Sequence, residues 1–390
     1  MTSLDTTRDI LGELIAHPTV SADSNLEMMA WMANYLEDAG AQVELMHDDT
    51  GLKANLFATV GPERPGGIML SGHSDVVPVE DQPWSSDPFA MREHDGLLYG
   101  RGACDMKGFI AACLAMAPDW TGRKLTRPIH FAFTHDEEVG CLGAQSLAEV
   151  LKGREARPSV AVVGEPTSMR IIEGHKGCCE YHVTFTGREG HGSQPALGVN
   201  AVEYATRYVA RLMELREALT HRAPPGGRFE PPWTTINLGR LSGGYVPNVI
   251  PGLAEVMWEM RPVQQSDMDF VKRAIADYVE DILLPEMRRT CPEAAIHTTV
   301  LGEVAGLEPM DDNAARRMVA ELTGANGADL VAFGTEAGLF QQIGMDVVIC
   351  GPGSIEQAHK PDEFVSLTQL NTCLAMLHGL GDRLTAHGRG

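Results

Sequence analysis

The run Ile68-Met69-Leu70 leads directly into Ser71-Gly72-His73-Ser74-Asp75: three apolar residues, a turn-prone pair, then an imidazole and a carboxylate two positions apart. An apolar run this short, closed by glycine, reads as a buried strand. The pattern recurs along the chain. Residues 129–133 precede His135-Asp136-Glu137-Glu138, residues 160–163 precede Gly164-Glu165-Pro166, and residues 347–350 precede a Gly-rich segment ending at His359. Arg101-Gly-Ala-Cys-Asp105-Met-Lys-Gly108 lies between the first two runs, just ahead of a helical stretch over 107–117. Further helical spacing falls at 7–16, 25–39 and 143–151. Strands alternating with helices predict an α/β/α sandwich on a mostly parallel sheet. Such sheets bind ligands outside the carboxyl ends of their strands.

The middle of the chain has another rhythm. Strand-like alternation at 181–185, a helix over 200–219, strands at 234–238 and 254–260, a helix over 267–288 and a strand at 295–300 give the order β-α-β-β-α-β. That order predicts a ferredoxin-like α+β domain inserted into the larger one. The expected division is 1–178 and 305–390 for the larger domain and 179–304 for the insert. The Pro/Gly-rich segment 221–233 reads as a connecting loop rather than a flap.

Composition excludes several classes. The 390 residues carry 53 acidic and 31 basic side chains, a net charge of -22. A nucleic-acid partner is disfavoured, because phosphate binding needs a basic footprint. No apolar run reaches the length of a membrane span, and the N-terminus lacks the pattern of a secretory signal. The 8 cysteines form no C-x-x-C pair and are expected to be reduced thiols of a cytoplasmic protein. Neither a G-x-S-x-G elbow nor a phosphate-cradling G-x-x-x-x-G-K-[ST] loop is present.

The strand-end residues carry the chemistry. His73, Asp105, Glu138, Glu165 and His359 offer nitrogen and oxygen ligands without sulfur, suited to Zn²⁺, Co²⁺ or Mn²⁺. One ion needs only three or four protein ligands, so five invite two ions sharing a carboxylate.

The strings Gly72-His-Ser-Asp-Val-Val-Pro78, Leu98-Tyr-Gly-Arg-Gly-Ala-Cys-Asp-Met-Lys-Gly-Phe109, Asp136-Glu-Glu-Val-Gly140, Gly164-Glu-Pro-Thr167 and Gly190-His191 occur in this order. They resemble the metallopeptidase family of acetylornithine deacetylases, succinyl-diaminopimelate desuccinylases, aminoacylases and glutamate-type carboxypeptidases. Gly174-His-Lys-Gly177, Phe333-Gly-Thr-Glu-Ala-Gly338 and Cys350-Gly-Pro-Gly-Ser-Ile-Glu-Gln-Ala-His359 are most similar to the first of these groups. The resemblance implies a homodimeric, dinuclear amidohydrolase, with Zn²⁺ the first expectation and Co²⁺ an alternative. Its substrate would be an N-acyl amino acid, N2-acetyl-L-ornithine foremost, or a succinylated or other acylated amino acid. A non-catalytic metal-binding dimer is the rival of another class. By the same resemblance His73 and Glu165 hold one metal, Glu138 and His359 the other, and Asp105 bridges them across a cis Asp105–Met106 peptide. Asp75 orients the imidazole of His73, and Glu137 is the general base. His191 stabilises the oxyanion in the neighbouring subunit's site, where Gly192 replaces the usual serine. Arg261 grips the substrate carboxylate with Asn248 nearby, and Glu336 meets a cationic side chain. The insert serves as dimer contact and lid.

Overall fold

A computed structural model describes residues 2–385 as two compact units. The larger is built on an eight-stranded sheet. In chain order its strands are β1 (Gln42–His47), β2 (Ala54–Val60), β3 (Gly67–His73), β4 (Ile129–Thr134), β5 (Pro158–Pro166), β6 (Ile172–His175), β7 (Asp329–Val331) and β8 (Asp346–Gly351). Their spatial order is β1-β2-β4-β3-β5-β8-β6-β7. The four strands that the apolar runs predicted, β4-β3-β5-β8, lie side by side and parallel. The margins are antiparallel: β1 on β2, β2 on β4, and β6 on β8. In the parallel centre His73 pairs with Thr134 and Ser71 with Val163, so the segments that follow these strands leave the sheet along one edge.

Side chains alternate across the sheet. Ile129, Phe131 and Phe133 join one apolar cluster with the helices Ser3–Ala16, Leu26–Asp38, Gly108–Thr121, Ala314–Thr323 and Leu367–Leu384. The first of these helices starts with a capping box between Thr2 and Asp5. Helix Gly108–Thr121 is apolar almost all round, as a helix enclosed on every side must be. The opposite face of the sheet is covered by Leu142–Lys152 and Ala337–Gln342, which pack on one another and on the strands.

The second unit carries the predicted β-α-β-β-α-β order. Its four-stranded sheet runs Thr235–Gly243, Leu253–Arg261, Cys178–Thr186, Ala295–Val304, antiparallel throughout. Helices Ala201–Thr220 and Gln265–Tyr278 close its core around Phe185, Tyr208, Leu212, Trp258 and Val271. The single helix expected over 267–288 is instead Gln265–Tyr278 and Leu284–Thr290, joined by a π turn at Val279–Leu283. Pro285 explains the change, because it cannot donate to a carbonyl one turn back. The unit spans His175–Glu308 and takes in Ala332–Gly334, a little wider than the expected 179–304. His175 N–H donates to Leu307 O at 3.1 Å and Gly177 N–H to Pro262 O at 2.8 Å, which ties the entering segment to this unit. The loop 221–233 is anchored at its end by Lys176 Nζ, which donates to Pro231 O at 2.8 Å and Trp233 O at 3.2 Å. No helix among the described residues is long and apolar enough to cross a membrane.

Close backbone approach fixes one residue type beside the site. A Cβ on Gly164 would lie 2.0 Å from the Phe109 ring. Gly164→Ala is therefore expected to cost about 1–3 kcal/mol by overpacking, read as a lower urea midpoint with an unchanged slope.

Candidate metal centre

His73 ends β3 with its ring fully buried. Its Nδ1 lies 2.9 Å from the backbone carbonyl of Asp75. A carbonyl only accepts, so Nδ1 donates and Nε2 is left as the coordinating nitrogen. That Nε2 faces Asp105 Oδ1 at 3.0 Å and Glu165 Oε1 at 3.9 Å. Glu165 comes from the end of β5, and its buried Oε1 has no hydrogen-bond partner. Asp105 sits in the π turn Ala103–Lys107, and the Asp105–Met106 peptide is cis, as the resemblance implied. Its second oxygen, Oδ2, faces His359 Nε2 at 3.3 Å, and the same nitrogen lies 3.0 Å from Glu138 Oε1. Two groups result, His73-Asp105-Glu165 and Asp105-Glu138-His359, with Asp105 common to both.

The donor set fits divalent cations. A lone pair on His73 Nε2 facing carboxylate oxygens is repulsive unless a positive charge stands between them. Burial, followed by the charge of Asp105, pushes the Glu165 carboxyl well above its ordinary range. Glu137 is raised by burial and then by the charges of Glu138, Asp105 and Asp75, with His73 opposing. Hydrogen bonds that its ring donates to the carboxylates of Asp105 and Glu138 raise His359 to about 10.

Asp75 stands beside His73 by both its groups: a carboxylate oxygen lies 3.6 Å from His73 Nδ1, and its backbone carbonyl lies 2.9 Å from the same nitrogen. The carboxylate also accepts the N–H groups of Glu137 at 3.1 Å and Glu138 at 3.3 Å, and the hydroxyl of Ser21 at 2.7 Å. It therefore sets the backbone of the loop that carries the expected base. Lys53 adds to this hold, donating to Ser21 O and to Asp136 Oδ1 at 2.5 Å. Ser21 and Lys53 stand in no motif, and only the folded chain brings them to the loop. The Glu137 side chain itself meets the Cys141 thiol, 3.5 Å from Oε1. Glu336 is fully enclosed rather than solvated, and accepts the hydroxyls of Ser71 at 2.6 Å and Thr134 at 2.7 Å.

Three further expected residues belong to the second unit. His191 pairs with Val249 in a short two-stranded ladder, and Gly192 N–H donates to Asn248 O at 2.8 Å, so His191 and Asn248 are neighbours. Ser193 supplies the hydrogen bonding that Gly192 cannot: its N–H donates to His191 Nδ1 at 3.2 Å, with its hydroxyl 2.7 Å away. An Nδ1 that accepts leaves the proton of a neutral ring on Nε2. Arg261 ends its strand with Nε and Nη2 both donating to Glu259 Oε2, at 3.0 and 2.7 Å.

Residues 69–382 match the model of peptidase family M20/M25/M40. The acetylornithine deacetylase of Yersinia pseudotuberculosis is 34% identical over 380 residues, covering 95% of each chain. That of Klebsiella pneumoniae is 36% identical over 364 residues, covering 92% of each. The fold matches aminopeptidase PepT of Bacillus cereus with a TM-score of 0.70 at 18% identity, over 98% of both chains. It also matches the Bacillus subtilis YXEP protein, a dinuclear metal-binding peptidase from the M20 family, with a TM-score of 0.63 at 19% identity, over 98% of both chains.

Because the ligating histidine must shed its proton, cation binding is expected to release protons and to strengthen as pH rises from about 6 to 9. Calorimetric titration with Zn²⁺ in buffers of different ionisation enthalpy checks this. Heats independent of buffer would contradict it.

Proposed function

Because the chain belongs to peptidase family M20/M25/M40, we propose that it is a metal-dependent amidohydrolase that converts N2-acetyl-L-ornithine and water to L-ornithine and acetate. The observation that carries this reading is one carboxylate, Asp105, shared between two ligand groups beside Glu137. The substrate rests on the acetylornithine deacetylases that are 34% and 36% identical over more than nine-tenths of the chain. Two divalent cations held by His73, Asp105 and Glu165 and by Asp105, Glu138 and His359, with Zn²⁺ the first choice and Co²⁺ able to replace it, would supply Lewis acidity toward water and the amide carbonyl.

The chain's own groups do the rest. Glu137 takes a proton from the attacking water at its carboxylate. The water oxygen adds to the acyl carbon, the C–N bond breaks, and Glu137 returns the proton to the departing nitrogen. A carboxyl raised by burial holds that proton more readily than an exposed one would. Asp75, through the amides of Glu137 and Glu138, keeps the base and a ligand in one fixed loop. His191, with Nε2–H as donor, would meet the developing oxyanion in the site of a second copy, the insert serving as dimer contact and lid. Arg261 would exchange Glu259 for the substrate carboxylate beside Asn248. Glu336, whose carboxyl is raised by burial and held by the hydroxyls of Ser71 and Thr134, is left out of the substrate contacts in this reading. A cytoplasmic setting is part of this proposal, on a sequence with no paired-cysteine motif.

Glu137→Gln is expected to retain the cation content and lower kcat by about a hundred- to ten-thousandfold, the usual worth of a general acid–base group. Metal analysis with single-turnover assays checks it, and full turnover in this variant would remove Glu137 as the base. Amine release from a panel of acetyl, formyl and succinyl amino acids should give the highest kcat/KM for N2-acetyl-L-ornithine. A higher value for succinyl-diaminopimelate would reassign the substrate. No turnover in any metal-loaded sample would favour a non-catalytic metal-binding dimer.

A further inference from the structure

Glu363 and Arg101 form an ion pair 2.9 Å long in which both side chains are 1% exposed. Neither touches the reacting atoms. Buried ion pairs of this kind are weak evidence for stability, since apolar residues of the same volume often serve as well. Their bonding indicates another use. Glu363 Oε2 accepts from Arg101 Nη1 and from Gly102 N–H at 3.0 Å. Its Oε1 accepts from Cys104 N–H at 2.8 Å and Asp105 N–H at 3.0 Å. One carboxylate thus gathers three backbone amides of the turn that presents Asp105, with charge-assisted bonds. The Gly100 N–H donates back to Glu363 O at 2.9 Å.

The arginine extends the hold to the other loop. Its Nη1 also donates to Lys360 O at 3.3 Å, next to His359. Its Nη2 donates to Gln82 Oε1, and Gln82 Nε2 donates to His359 O at 3.0 Å. Trp84 lies under the guanidinium, 5.0 Å from ring centre to Cζ, and bonds Gln82 as well. The backbones of Asp105 and of His359 are therefore both referenced to one buried pair. His73 and Glu165 owe their placement to β3 and β5 instead.

We propose that the Arg101–Glu363 pair is a positioning device that sets the spacing of Asp105 and His359, and so governs the second cation, the one held by Asp105, Glu138 and His359, more than the first, which His73 and Glu165 hold with Asp105 from the strand ends. This rests on the reading that the two ligand groups hold cations. The probe is Co²⁺, added to the full metal-free chain and followed by equilibrium dialysis and by visible absorption. The wild type is expected to take up two ions. Glu363→Gln, which keeps the shape and loses the charge, should bind the first ion with an unchanged spectrum and the second about tenfold or more weakly. Gln82→Ala, at a half-buried link of the same chain, should weaken the second ion in the same sense and leaves the test standing if Glu363→Gln does not fold. Two ions bound as tightly in these variants as in the wild type would overturn the inference alone. Equal loss of both ions would also overturn it, since the pair would then merely support the fold. A wild type that takes up no cobalt would overturn the reading on which it rests as well.

Discussion

Asp105 turns one carboxylate oxygen toward His73 and the other toward His359, in a cluster that also holds Glu137, Glu138 and Glu165. Negative charge gathered this densely at the end of a buried sheet is unfavourable unless positive charge is present. The raised carboxyls of Glu137 and Glu165 and the raised imidazole of His359 are different expressions of that one demand. Cations satisfy it with chemistry to spare, which is why the same crowding that opposes folding of a bare cluster equips it for amide hydrolysis.

Around this cluster the chain places a second layer of polar groups whose bonds go to backbone rather than to ligands. Asp75 holds the amides of Glu137 and Glu138, Glu363 holds those of Gly102, Cys104 and Asp105, and the Asp75 carbonyl holds the His73 ring. Loops must be fixed in this way because no sheet ladder reaches them. Residues with positive φ, among them Asp136, His359 and Asp362, lie in these loops, where the surrounding bonds hold the backbone.

Much of this was legible before any fold. The four apolar runs are strands because buried parallel strands need no polar face, and the residues that follow them reach one edge because parallel strands end together. The motifs around His73, Asp105, Glu138, Glu165 and His359 named the residues that the fold gathers into two candidate ligand groups. Other features were hidden. Strand Gln42–His47 has no such run; it forms because Ala54–Val60, itself paired to β4, offers an edge to it. The resemblance implied Asp75 as a partner of His73, but not that its carbonyl and its carboxylate both lie beside the ring. Ser21 and Lys53 reach the site from distant positions and leave no local signal.

The sequence by itself determined the alternation of elements, the inserted β-α-β-β-α-β unit and the five candidate ligands, because hydrophobic period and residue type are local properties. Only the tertiary structure decided which oxygen of Asp105 faces which imidazole, that Ser193 holds His191 where Gly192 could not, and that Arg101 and Glu363 join two loops of the site. Those are distances between segments far apart in the chain, and they exist only once burial has brought the segments together.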